Sequence, residues 1–352
     1  MTIAGLNYSD IREQVGAMLS GPDRVALYLT WGTVLFAAVV TFWQTAETGS
    51  GLRGFFRHCL PAGMLTHRSA RADFLFWLSR RLTMPLFVVP LALSTVTAGY
   101  AAYAMLTVVF GPAAHPGPAG TVTLCLFTLS MVIAYDLSYY IYHYLCHRVP
   151  LLWELHKVHH SAEVMVGVTK DRVHPLDELL NRWWNGLIPG VTYGIWLFFA
   201  VDPVELTVFG ITAYTLRGLL MMDVVRHTHL EMSYGTWLNT IFLCPYYHQL
   251  HHSIDPHHYN KNYGLLFSIW DRMFGTFAVP ERGQHFTFGL ADNEHAEYQS
   301  LLRLHVVPIV KMIAIVRAWF AGPRVRDAGH GPGLGVSASP TVAETRRPAP
   351  VL

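Results

Sequence analysis

Twelve of the twenty histidines in this chain fall into five tight groups. They are His143 and His147; His156, His159 and His160; His227 and His229; His248, His251 and His252; and His257 and His258. The first reads HxxxH, and two others repeat HxxHH. Neutral imidazole is the commonest side-chain ligand for first-row metals. The three boxes alone offer eight imidazoles, more than the three or four ligands of one zinc site, and so suit two metals close together. Side chains four apart share a helix face, which lines up Asp136, Tyr140, His143 and His147. Asp136 is then placed to accept the outer N–H of a ligating imidazole. The three-residue step aims His156 and His159 the same way. His160, offset by about 100°, reaches a second metal or the same metal from another side. His248, His251 and His252 repeat that geometry. His227 is a ninth candidate ligand, and His229 stands beside it. His257 and His258 read equally as ligands, as supports for ligands or as substrate contacts, and His174, in Val173-His174-Pro175, as a site-lining residue.

The elements that must position these groups are apolar. The 352 residues are 52% hydrophobic and 14% charged, where soluble domains carry about 25% charge. Net charge is +2, which gives no basic field for nucleic acid. The four cysteines are dispersed and form neither a zinc ribbon nor a disulfide framework. Cys146, inside the first box, reads as a helix residue pointing elsewhere. The first twenty residues lack the short apolar core of a secretory signal, so targeting is expected from the first spanning helix.

A membrane-spanning helix needs about 20 apolar residues. Val25–Trp43, Leu82–Tyr103 and Thr121–Tyr142 meet that need. Leu187–Val201 and Val204–Met222 read as a shorter helical hairpin turning at Asp202-Pro203. Arg53, Arg57, Arg68, Arg71, Arg80 and Arg81 crowd one loop, whereas 111–120 carries no acidic or basic side chain beyond His115. Positive-inside logic puts the basic loop in the cytoplasm, and every histidine group then falls on that side. Lys157, Lys170 and Arg172 read as further positive-inside charges or as headgroup contacts. Asp271-Arg272 reads as a local ion pair closing the last box. Leu301–Phe320 reads as an amphipathic interfacial helix. Beyond it, Gly, Pro, Ser, Ala and Arg dominate, and disorder is expected. The expected architecture is all-α and integral to the membrane. Four to five spanning or embedded helices carry a cytoplasmic helical cap with a histidine-rich dimetal site.

HYLCH, WELHKVHHSAE, HTHLE, HQLHH and NKNYGLLFSIWDRMFGTF, in that order between Asp136 and Phe277, resemble the membrane fatty acid hydroxylase family, also called the sterol desaturase family. In motif they look nearest to alkylglycerol monooxygenase and its bacterial relatives, with departures at His229 and Tyr247. The resemblance implies an integral-membrane di-iron oxygenase that uses O2 and an external electron donor on a membrane lipid such as a fatty acyl chain, sterol, ether lipid or aminolipid. It implies hydroxylation before desaturation. It also implies that His143, His147, His156, His159, His160, His248, His251 and His252 hold metal, with His227 as an additional ligand. The expected division is then 1–120 for the N-terminal membrane helices, 121–283 for the catalytic domain, 284–320 for the amphipathic segment and 321–352 for the tail. No flavin or nicotinamide fingerprint is present, so electrons are expected from a donor protein or a diffusible reductant. The site is expected to face the cytoplasm from a bacterial inner membrane. Two other classes remain at this point. A zinc-dependent membrane hydrolase would use about three ligands and a carboxylate base, for which Glu154 and Glu163 flank the second box. A metal-binding or transport protein would place ligands at mid-membrane depth.

Overall fold

The chain is seen in a computed structural model that describes residues 22–44, 51–83, 85–113, 120–200, 207–208, 211–212, 217–218, 220–281 and 283–321. The fold is helical. In order come α1 (Pro22–Gln44), α2 (Gly51–Cys59), α3 (Arg68–Thr83), α4 (Pro85–Phe110), α5 (Thr121–Arg148), α6 (Pro150–His160) and α7 (Pro175–Phe199). After these come the short α8 (Gly235–Leu238), α9 (Pro245–His251) and α10 (Ile269–Met273), then the long α11 (Leu301–Ala321). Among the described residues, three stretches are long and apolar enough to cross a membrane: Ala92–Phe110, Thr121–Arg148 and Leu301–Ala321. Their outward side chains include Val96, Met105, Val108, Val122 and Leu129, all exposed, as a lipid-facing surface requires. The protein has an all-α integral membrane fold.

Two expectations change in detail. The second arm of the hairpin, expected as a helix over Val204–Met222, instead contains an antiparallel pair of two-residue strands, Thr207–Val208 and Ile211–Thr212. The β-branched residues at those positions favour extended backbone over helix. Asp202-Pro203, the intervening loop 114–119 and everything after Ala321 lie outside the described residues. The second change is at α11. It is apolar enough to span, yet it buries Leu304 and Pro308 and packs against α3 and α6.

α4 and α7 pack backbone to backbone. Gly190 and Gly194 lie one turn apart on α7 and face Gly99 on α4. A Cβ on Gly190 would sit 2.6 Å from the Thr95 carbonyl oxygen, and one on Gly194 would collide with the Gly99 carbonyl. This is the small-residue seam by which membrane helices approach closely.

Proline sets the starts of the elements around the boxes. Pro150 begins α6, Pro175 begins α7 and Pro245 begins α9, each at the first turn, where a missing N–H costs nothing. Pro150 also holds Val149 extended (φ −96°, ψ 116°), so α5 stops one turn past His143 and the chain folds back toward it.

Candidate metal centre

Nine histidine side chains converge in two adjacent groups. Group one holds His143, His147, His156, His160 and His251, and group two holds His159, His227, His248 and His252. Within each group the candidate ligand nitrogens lie within 4.8 Å of one another. The groups abut: the rings of His160 and His252 stack with centroids 4.5 Å apart, and those of His251 and His248 stack 5.5 Å apart.

Each HxxHH box splits between the groups, and not as the three-residue step suggested. His156 pairs with His160, and His248 with His252, while His159 and His251 cross to the other group. At 3.6 residues per turn, a step of four leaves side chains about 40° apart and a step of three about 60°. The i,i+4 pair therefore shares a target, and the middle histidine serves the neighbouring one.

In group one the Nε2 atoms of all five histidines are buried and without a hydrogen-bond partner. The opposite nitrogens are held. Nδ1 of His143 donates to the Tyr263 carbonyl at 2.8 Å, and Nδ1 of His251 donates to the Lys261 carbonyl at 2.7 Å. Nδ1 of His156 donates to Asp177 Oδ2 at 3.2 Å. A proton fixed on Nδ1 leaves the Nε2 lone pair inward, the tautomer a metal needs. Group two presents the same crowding. His227 Nε2 lies 3.2 Å from His159 Nε2 and 3.1 Å from His248 Nε2, and the latter is 3.1 Å from His252 Nε2. His227 fixes its proton on Nδ1 with a 3.0 Å bond to the Asp223 carbonyl. Nitrogens about 2.1 Å from a common metal would stand roughly 3.0–3.4 Å apart.

Burial, and then the neighbouring imidazoles or the Arg226 guanidinium, hold His159, His160, His248 and His252 well below the ordinary histidine value. Burial brings His227 down to about 4 and His251 to about 3. Nine converging imidazoles with crowded or unpartnered Nε2 atoms fit one or two first-row metal ions.

The other sequence candidates lie outside both groups. Asp136 was expected to steady an imidazole. Its carboxylate instead accepts the backbone N–H of Leu266 (2.8 Å) and Phe267 (3.2 Å) and the Trp270 indole N–H (2.8 Å). It clamps the segment whose Tyr263 carbonyl holds His143, so its help to that ligand is indirect. Asp271, expected to pair with Arg272, accepts from Tyr263 N, Gly264 N and Thr276 Oγ1, while the Arg272 guanidinium stacks 4.0 Å from the Phe277 ring centroid. His174 caps α7 and contacts the His305 carbonyl. His229 donates to the His58 carbonyl at 2.7 Å. His257 is exposed and paired with Asp255, and His258 contacts Gln284.

The sequence reading missed two kinds of support. Asp177 is the carboxylate that holds a box histidine. Acidic residues in a first helical turn are ordinary dipole partners, so the sequence carried no separate signal. Arg172, read as a surface charge, is fully buried. It pairs with Asp73 at 2.7 Å and donates to Ser161 Oγ and to the Val158 and Tyr298 carbonyls, tying α3 and the approach to α11 to the C-terminal end of α6. Arg226, next to His227, is also buried and donates to the Met221, Leu243 and Leu265 carbonyls.

Residues 128–276 match the family model for fatty acid hydroxylases. The matched segment is similar to the fatty acid hydroxylase family. It contains all nine converging histidines. The chain is similar to the alkylglycerol monooxygenase of Caenorhabditis elegans, 30% identical over 172 residues, 49% of this chain and 31% of that protein. It is 34% identical over 162 residues to the ornithine lipid hydroxylase OlsE of Rhizobium tropici, 46% of this chain and 44% of the relative. Human alkylglycerol monooxygenase is 29% identical over 149 residues, 42% and 30% of the two chains. The matches thus span less than half of the length of these curated relatives. No solved structure gives a significant match. The relatives are named as monooxygenases and as a lipid hydroxylase.

Proposed function

We propose that the chain is an O2-dependent di-iron oxygenase that hydroxylates a membrane lipid. The observation that carries this reading is the convergence of nine imidazoles, eight of them buried, into two abutting groups, with all five group-one Nε2 atoms buried and unpartnered. Iron bound there would supply the redox chemistry that an unactivated C–H bond requires and that zinc lacks. The chain's own part is to fix the ligand tautomers through Tyr263, Lys261, Asp177 and Asp223, and to bury the centre away from bulk water. The names of the relatives, alkylglycerol and ornithine lipid enzymes, favour an ether lipid or an aminolipid as the substrate. Electrons come from a separate donor protein or a diffusible reductant. The arginines crowded between residues 53 and 81 support a centre that faces the cytoplasm, from a bacterial inner membrane.

The hydrolase reading is disfavoured by the ion pairs of its two carboxylates, Glu154 with Lys157 at 2.7 Å and Glu163 with Arg68 at 3.3 Å. The transporter reading loses its path, because His143 and His147 lie in the last two turns of α5 rather than at mid-span.

The test joins metal analysis to lipid mass spectrometry. Protein loaded with iron should bind two irons per chain. With O2 and a reductant it should add one oxygen to a lipid of the ether or amino class. One zinc per chain retained after iron loading, with hydrolysed product, would overturn the reading.

A further inference from the structure

The two histidine groups differ in what lies in front of them. A cavity of about 350 Å3 opens against His147, His160 and His251, all members of group one, and touches none of group two. That volume lies within the usual range of small-molecule pockets, about 300–1,000 Å3. Trp153, Ile254 and Leu290 supply apolar wall, and Lys157 and Glu294 supply a charged rim.

The outer wall is built and fastened. Glu294 is gripped by Lys157 from α6 at 2.9 Å and by Lys311 from α11 at 2.6 Å. The chain leading to it runs through left-handed backbone at Gly289 (φ 126°), Asp292 (φ 52°) and Asn293 (φ 59°). A Cβ at Gly289 would meet His295 Nδ1 at 2.9 Å.

Group two is enclosed. His159, His227, His248 and His252 are 2–7% exposed, and their Nε2 atoms stand in a chain of 3.1–3.2 Å contacts. The cavity leaves these four imidazoles untouched, so it gives an outside ligand no route to an ion held there, whereas it lies against three of the five imidazoles of group one.

We propose that the exchangeable position of the metal centre belongs to group one alone, and that this cavity admits the small exogenous ligand and the reacting end of the lipid. Group two is closed. The inference rests on the two-metal reading above.

Cobalt(II) and azide test it. Cobalt accepts imidazole sites by the same ligand preferences as iron and reports a new ligand in its visible spectrum. Full-length protein loaded to two cobalts per chain is titrated with azide. Azide should perturb one cobalt and leave the other unchanged. Ile254→Trp and Ala291→Trp each fill the cavity, from a half-buried and an exposed position. Each should retain two cobalts and weaken azide binding at least about tenfold. Thr236→Trp fills a separate cavity that touches neither group, and should leave azide binding unchanged. Perturbation of both cobalts, or unchanged azide affinity in both cavity variants at full cobalt content, overturns the proposal. Fewer than two cobalts per folded wild-type chain overturns the two-metal reading itself, a different failure that the cobalt count identifies before azide is added.

Discussion

The α4–α7 seam and the histidine core solve opposite packing problems within one chain. At the seam there is no hydrophobic gain from leaving lipid, so closeness itself holds the helices, and Gly99, Gly190 and Gly194 let backbone meet backbone. The histidine core leaves its group-one Nε2 atoms unpartnered but answers the groups that hold them in place: Arg172 by Asp73, His156 Nδ1 by Asp177, and the turn at Tyr263 by Asp271. The seam should therefore respond to volume, and the core to the loss of one partner.

Removing a charge partner should do the most damage. Arg172→Met leaves Asp73 buried, where burial already raises its carboxyl value against the pull of Arg172, and should cost about 3–5 kcal/mol. Arg172→Met combined with Asp73→Leu should recover much of that loss. Thermal unfolding in detergent measures both, and a double variant no better than the single one would break the contrast. Gly194→Ala should cost about 1–3 kcal/mol through overpacking alone while metal content per folded chain stays the same. If metal content fell with stability, the seam and the core would not be separable. Asp177→Asn should lower metal affinity about 10–100-fold at group one, with group two unchanged, as metal titration would show.

Acid should act on the core and spare the seam. Burial holds the folded values of His159, His160, His227, His248, His251 and His252 below the ordinary ~6.5, so the unfolded chain takes up protons first. Stability of the metal-free protein should hold above about pH 6.5 and decline as pH falls through about 4 at His227 and about 3 at His251. Unfolding midpoints across that range check the sign. The smallest effect belongs to His257→Ala. It should change stability by no more than about 0.5 kcal/mol and leave metal content untouched, since that side chain is exposed and meets only Asp255.

The sequence made the nine converging histidines legible because HxxxH and HxxHH are local patterns that a helix turns into shared direction. It also exposed the apolar stretches of α4 and α5. The partition of each HxxHH box was not legible, since a difference of about 20° between two steps decides it only when the opposing helix is in place. Asp136 and Asp177 show the same limit from two sides. Asp136 shares the stripe of His143, yet its hydrogen bonds go to Leu266, Phe267 and Trp270, over a hundred positions away in the chain. Asp177 sits off every motif and reaches His156 through the fold-back of α7. The β pair at 207–212 was missed because a run of β-branched apolar residues reads alike as helix or strand.

The seam has a consequence in time. It joins residue 99 to residues 190 and 194, so it closes a loop of chain that contains His143, His147, His156, His159 and His160. Four of the five group-one ligands lie inside that loop, and only His251 is still to come. Group two has a single member there, His159, and draws His227, His248 and His252 from the chain made afterwards. As the protein is synthesised from its N-terminus, the half-finished molecule can already offer four imidazoles for one metal. The second site exists only when the last box arrives, and that same box completes the first.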